Sequence, residues 1–543
     1  MASRLFLLVA LAALTLAAQA QDRLPNLTPT EFEITGELEI NLPQLERQPL
    51  SGFGPPPRTY VVPAERRAVT RPYGVAYDGL PAFALATPSD PDFALADGRF
   101  LRAEGGLGTE VARYGRFDFA NSSLFVDVDY DGLGSTTDVV AGGTPDPFVT
   151  FNRLDARGGL HTSESLSASV TGLLNYNDFS LPGGAGVNDM RTISMFGAEA
   201  ELETVVSAHT PAGISFGVAF TNVDDELNTI PASNSDTRLD AGAFAELLNR
   251  FVRVEGGVGR GSFIEGSDGT DVFDYNAGLI FQAYTAGGLQ LEVGARVLGY
   301  NTSLQNGDAS STLFAPVAGA ELPLGTSGRL FAYTDPHVEQ RGIFELLEAN
   351  PFAEIGFLAP NVHTVDGEAG IELRNGSVGL KVYGGATFSP TRQFFERNAG
   401  TGLFSADYAK ARTIVGGVDV SYVTPTGIEL SAGGAIRNGS LTELDQALPY
   451  YATAVGRIGA QVPFASGRGR VGLSAYFEGE RPADRVETSM LPGFGMLGVD
   501  AAYEFTQGLS LVLRGERLVG EAERWEGFPQ ASTTILGGIR LVR

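Results

Sequence analysis

Three short patterns in this chain carry residue types that could do chemistry. Asp127, Asp129 and Asp131 alternate ahead of Gly132, with Asp138 further on, a spacing at which carboxylate oxygens can converge on calcium around a glycine turn. The same aspartates alternate with Val126, Val128 and Tyr130, which is strand spacing, and no helical pattern flanks them. The expectation is a run of acidic side chains on one strand face, with these four aspartates as the calcium alternative and no cofactor required. Gly213-Ile214-Ser215-Phe216-Gly217, with His209 nearby, matches the glycine-flanked serine of hydrolases. That chemistry needs a strand, a strained turn and a helix, whereas alternation here continues through Val218 and Phe220. The four histidines, His161, His209, His337 and His363, are dispersed. No catalytic set converges, and an enzyme is not expected.

The elements that hold these residues form a ladder of hairpins. Ten turns, about 38 to 50 residues apart, centre on Asn121-Ser122, Thr162-Ser163, Pro211-Ala212-Gly213, Asn249-Arg250, Gly287-Gly288, Ser327-Gly328, Asn375-Gly376, Pro425-Thr426-Gly427, Ser466-Gly467 and Gln507-Gly508. Each opens onto period-two alternation. After Gly288, Leu289, Leu291, Val293, Ala295 and Val297 are apolar, while Gln290, Glu292 and Arg296 are polar. Successive strand side chains point to opposite faces, so one face is oily and the other charged. Segments of about ten residues suffice to cross a bilayer core when tilted. Longer polar connections are expected at 131–146, 178–189, 222–236, 301–310, 388–405 and 437–448. Short turns on one side and long loops on the other are the asymmetry of an outer-membrane barrel. Ten turns join 20 strands, and one strand before them (Arg99 to Gly106) and one after (Ser532 to Val542) make 22. The fold class expected is all-β: a transmembrane antiparallel β-barrel of 20 to 22 strands over 98–543, in the outer membrane and in contact with its lipid.

On the polar faces, Arg253, Glu255, Glu292, Arg296, Asp366, Glu368, Glu372, Lys381, Arg470, Glu478, Arg514 and Glu516 are the residues expected to line the lumen and meet a solute. Opposite charges on neighbouring strands can pair along the wall and set selectivity as well as stability. Asp335-Pro336, then Glu339, Ile343, Phe344, Leu346 and Leu347 up to Asn350-Pro351, reads as a short helix capped by Asp335. It falls in a long-side loop and is expected to fold inward and narrow the pore, the alternative being a cap on the loop cluster outside.

Ahead of the barrel, Arg4, an apolar run from Leu5 to Ala17 and Ala18-Gln19-Ala20 make residues 1–20 a secretory signal. Residues 21–97 follow as a periplasmic segment in which Phe32, Ile34, Leu38 and Ile40 alternate with Glu33, Glu37 and Glu39. That stretch could be the stub of a plug, or it could add as a strand to the sheet edge of a periplasmic protein bound through residues 21–60. The chain has no cysteine, so disulfides and thiolate metal sites are excluded. A net charge of -26 disfavours nucleic acid.

The signal, the periplasmic segment, the count of 22 strands, the opening stretch Phe100-Leu101-Arg102-Ala103-Glu104-Gly105-Gly106-Leu107-Gly108 and the insert from Ile343 to Phe352 together resemble a TonB-dependent receptor whose plug is truncated or absent. The resemblance implies solute transport across the outer membrane, receptor-like or porin-like. The competing expectation is a non-conducting interaction or assembly barrel whose N-terminal strand and loops bind protein partners.

Overall fold

In the computed structural model the described residues run from Phe100 to Val542, leaving out 110–111, 122–123, 136–148, 164–165, 182–189, 208–209, 228–229, 249, 266–267, 285–287, 303–308, 326, 340–341, 356–360, 399–400, 520–522, 526–527 and 530–532. The signal and periplasmic segments, with Phe32, Ile34, Leu38 and Ile40, lie outside the described residues, as do Asp138 and His209.

Alternation produces strands throughout. They run Phe100–Gly108 (β1), Arg113–Ala120 (β2), Leu124–Ser135 (β3), Val149–Ser163 (β4), Leu166–Ser180 (β5), Met190–Ser207 (β6), Thr210–Leu227 (β7), Ile230–Leu247 (β8), Val252–Glu265 (β9), Asp268–Tyr284 (β10) and Gln290–Thr302 (β11). The second half holds Ala309–Pro323 (β12), Gly328–Thr334 (β13), Val365–Asn375 (β14), Val378–Arg397 (β15), Phe404–Val423 (β16), Glu429–Leu441 (β17), Ala454–Phe464 (β18), Gly469–Glu478 (β19), Phe494–Thr506 (β20), Leu509–Val519 (β21) and Thr533–Val542 (β22). Each pairs antiparallel with its sequence neighbours, and β1 pairs with β22 from Arg102 opposite Val542 to Gly108 opposite Leu536. The sheet is therefore closed at 22 strands, and closure removes the unpaired edges that a bilayer could not hydrogen-bond.

The two faces sort as period two dictates. Leu291, Val293 and Val297 on β11 are exposed on the outside, whereas Leu298 on the inner face is fully buried. Phe314 and Ile436 are 74% and 76% exposed, and apolar exposure repeats on nearly every strand. Such a continuous apolar surface suits hydrocarbon rather than water.

The turns on one side are tight. Gly376 and Gly508 take φ values of 55° and 74° there, a left-handed conformation that a Cβ would strain. Three sequence expectations are corrected. The reversal expected at Pro211-Ala212-Gly213 lies instead between Ser207 and Thr210, so Pro211 already pairs with Val205 and Ser215 sits mid-strand, without the elbow a serine nucleophile needs. Of the 222–236 stretch, the residues up to Leu227 and from Ile230 onward are strand, and most of 388–405 is strand as well, in β15 and β16 of 20 residues each. In both stretches polar residues such as Asn222, Asp224 and Arg392 interrupt the apolar alternation, so the composition looks like loop while the backbone ladder continues and Val223, Phe395 and Phe404 are buried inside the barrel.

The third correction concerns the helix. It spans only Ile343–Ala349 (α1): Asp335 pairs with Arg296 on β11 and His337–Glu339 is a paired strand, so the helix begins after them. Glu345 accepts from the Gly342 amide at 2.9 Å, and Asp236 on β8 accepts from the Ile343 amide at 2.9 Å. These two carboxylates satisfy amides that a helix start leaves open.

Candidate functional site

The site is the lumen at its long-loop end, where the connection between β13 and β14 folds inward. β13 stops after seven residues, and the chain beyond Thr334 leaves the wall. His337–Glu339 pairs antiparallel with Asn361–His363, so the loop is zipped at its neck. Val338 and Val362 pack over Leu298, Tyr300, Leu313 and Ala315, the inner face of β11 and β12.

Beyond the neck, α1 buries Ile343, Leu346 and Leu347 against Leu181, Ile193, Val223 and Phe263, the last three on the inner faces of β6, β7 and β9. The segment after it reaches a distant part of the wall. The Phe404 amide on β16 donates to the Phe352 carbonyl at 3.0 Å, and the Glu354 amide donates to the Phe404 carbonyl at 2.7 Å. Phe395, Phe404 and Tyr450 belong to the same buried cluster as α1. The loop thus touches β6 to β9 on one flank and β15 and β16 on another.

Arg191 on β6 fastens it. Its guanidinium meets both oxygens of Asp225 on β7 at 2.7 Å, and its Nη1 donates to the carbonyls of Pro351 and Ala353 at 2.7 and 2.8 Å. A planar fork of five donors is suited to such a four-way contact, and an ammonium is not. Arg238 on β8 adds a pair with Glu345 at 3.2 Å.

The residues singled out from sequence distribute around the wall. Glu255 on β9 meets Arg253 at 2.9 Å and Arg296 at 2.5 Å. Arg296 lies two strands away, and the pair passes over Gly278 on the strand between, where a Cβ would come within 3.1 Å of both side chains. Asp419 and Arg457 repeat the device over Gly433, 2.9 Å apart. Arg296 also donates to the Pro336 carbonyl at 2.7 Å, joining wall to loop. Glu292 accepts from Gln282, Asp366 from Thr387, and Glu372 from Arg329. Lys381 pairs with Glu368 at 2.7 Å, its ammonium resting over the rings of Phe331 and Tyr383. Glu478 accepts from Tyr476, and Arg470 lies opposite Ala502 on β20. Arg514 pairs with Glu104 at 2.8 Å. The Glu516 side chain lies outside what is described. These residues are thus spread along the wall rather than gathered at one point; Arg296 through its side chain and Asp366 through its carbonyl, which accepts from the Asp335 amide at 2.8 Å, are bonded to the inserted loop.

Asp127, Asp129 and Asp131 occupy successive same-face positions of β3, opposite Arg157, Asp155 and Arg153, and Asp129 is held by Arg116. Among the described residues no group of three or more His, Cys, Asp or Glu could hold a metal ion.

Sequence reading missed Arg191, Asp225, Asp236 and Glu104. Parity alone would have placed all four inside, since Arg191 and Ile193 alternate with the outward Phe196 register. Nothing local announces that the partners of Arg191 lie at 351 and 353.

No family model and no curated protein matches this chain. Solved structures share its architecture. The copper transporter OprC aligns with a TM-score of 0.60 at 14% identity, over 82% of this chain and 80% of that one. The apoprotein form of the FrpB iron transporter from Neisseria meningitidis aligns with 0.64 at 11% identity, over 83% and 82%. The siderophore receptor PiuA from Acinetobacter baumannii aligns with 0.61 at 10% identity, over 82% of each chain. Identities this low speak for architecture alone. In architecture, this chain has the closed 22-strand barrel of the TonB-dependent receptors of the outer membrane.

Proposed function

We propose that this protein moves a solute across the outer membrane, through a lumen whose long-loop end is constricted by residues 335–364. The observation that supports this reading is the inserted loop: a wall built only to display loops or bind partners has no use for a segment drawn inward and bonded to strands on two flanks. Lumen charges held in pairs and separated by glycines leave a polar, solvated interior, the lining expected of a conduit. The structural neighbours named as transporters and receptors point the same way.

In this reading Arg253, Glu255, Glu292, Arg296, Asp366, Glu368, Glu372, Lys381, Arg470, Glu478, Arg514 and Glu516 are the groups a passing solute meets. Residues 21–97 form a periplasmic segment, either the stub of a plug or, through the Phe32, Ile34, Leu38 and Ile40 face, the docking strand for a periplasmic partner. Planar-bilayer conductance of the chain, with and without residues 21–97, tests the proposal. Current in either form supports it, and current appearing only on truncation identifies the segment as a plug. Silence in both forms favours the interaction or assembly barrel instead.

A further inference from the structure

The loop's neck contains an arrangement that the transport reading does not use. His337 lies opposite His363 across the short strand pair, and their imidazoles stack with centroids 4.6 Å apart and planes 16° from parallel. His363 is 1% exposed. Its Nε2 stands 3.5 Å from Glu339, and its Nδ1 has no hydrogen-bond partner. The His337 Nδ1 is 2.7 Å from the Asp335 carbonyl, which accepts its proton. Acting on His363 are Glu339 on the neck itself and Arg392 from β15, while Asp335, whose carbonyl meets His337, has its carboxylate paired with Arg296 from β11. Val362, next to His363 on the neck and opposite Val338, is fully buried. Stacking at this distance, with His363 out of water, His337 half-buried and Arg392 close by, suits two neutral rings and opposes two charged ones.

We propose that the stacked His337 and His363 rings are an acid-sensitive clasp, holding the 335–364 loop inside the barrel and releasing it when they take up protons. The clasp rests on its own geometry, and only its consequence for solute passage rests on the transport reading. Burial holds the His363 pKa down from 6.5 to about 3, with His337 and Arg392 acting in the same direction and Glu339 against them. A released loop binds that proton near the ordinary value while a clasped one does not. The clasped form is therefore fully favoured above pH 6.5 and loses ground as pH falls, the released population gaining about tenfold per pH unit from His363 alone.

The absence of cysteine permits a direct test. Ala349→Cys and Ala353→Cys place single thiols on two buried points of the loop, 5% and 0% exposed. Thr426→Cys, on an exposed turn, reports the pH dependence of the thiol reaction itself. The labelling rate of each buried thiol by a charged maleimide is divided by that of the exposed one, at pH 7.5 and 4.5, in the folded full chain. The expected result is a rise of tenfold or more on acidification at both loop positions, abolished by His337→Phe with His363→Phe, which keeps rings but no titrating nitrogen. A flat ratio with the histidines present, in protein that keeps the heat-modifiable mobility of a folded barrel, overturns the clasp. So does a rise that survives the double substitution. Bilayer current from the same samples separates the two ideas: labelling without current supports the clasp and counts against transport, and current with flat labelling does the reverse.

Discussion

Arg191 and Asp225 form a two-point ion pair, Nε to Oδ1 and Nη2 to Oδ2 at 2.7 Å each, with the arginine side chain wholly buried. The same guanidinium holds two carbonyls of the inserted loop, so wall and loop share one charged group. Taking away the arginine strands a buried carboxylate and two carbonyls together.

Arg191→Ala is expected to release the loop while leaving the barrel closed. Losing one partner of a buried pair costs about 3 to 5 kcal/mol. The check is protease cleavage between 335 and 364, rising at neutral pH in protein whose gel mobility remains heat-modifiable. Arg191→Lys should fall between the two, since an ammonium cannot reach four acceptors in one plane.

The seam is expected to depend on Glu104. From β1 it meets Arg540 on β22 at 2.6 Å, Arg514 on β21 at 2.8 Å and the Tyr114 hydroxyl on β2 at 3.1 Å, so one carboxylate ties four strands. Glu104→Ala leaves two arginines facing each other inside the wall, with a loss of about 3 to 5 kcal/mol. The measurement is the temperature at which the folded gel band converts to the unfolded one. An unchanged conversion temperature would show that backbone pairing alone holds the ends together.

Face preference can be tested on β12 and β19. Phe314 is 74% exposed on the outside, and Phe314→Arg is expected to cost about 2 to 4 kcal/mol if it lies near the bilayer midplane. Ser474→Arg, on the inner face of β19 between the outward Leu473 and Ala475, should cost far less. Folding yield into vesicles compares them, and equal yields would contradict the assignment of faces.

One pH effect belongs to a loop outside the bilayer. Asp484 accepts from the amides of Val486, Thr488 and Ser489 and from the Thr488 hydroxyl. Its pKa is lowered from 3.8: burial is the largest single influence and raises it, and the Thr488 hydroxyl and the three amides together outweigh it. A carboxylate with a depressed pKa contributes its stability above the unfolded value and loses it as pH falls through the folded one. Proteolytic nicking of the 479–493 loop should thus stay flat from pH 8 to about 5 and increase below about 4. Asp484→Ala should show the nicking at all pH values.

Strand parity was legible in the sequence because period two survives in every segment that touches lipid: Leu291, Val293 and Val297 needed no partner to be identified as outward. Loop boundaries were less legible. Around 222–225 the inward face mixes Val223 with the buried Asp225 and the outward face carries Asn222 and Asp224, so no apolar contrast marks a strand although the ladder is unbroken. Charge pairing was legible as a class but not in its geometry. Glu255 was expected to find a neighbour on the next strand, and it finds Arg296 two strands away because Gly278 leaves the intervening surface bare. The helix was visible in its apolar spacing, yet Asp335, expected to cap it, pairs with Arg296 instead, a contact spanning 39 residues. Arg191 reaches 160 residues along the chain to Pro351, and no local pattern encodes that distance.

The joining of β1 to β22 bears on biogenesis. Residues as far apart in sequence as Glu104 and Arg540 must meet before either rim is satisfied, so a nascent or half-delivered polypeptide presents two raw sheet margins for the whole time it waits. A circular permutant, with the barrel's first and last strands joined by a short linker and new ends opened at residues 136–148, would leave every neighbour relationship in the cylinder intact while changing which margins wait.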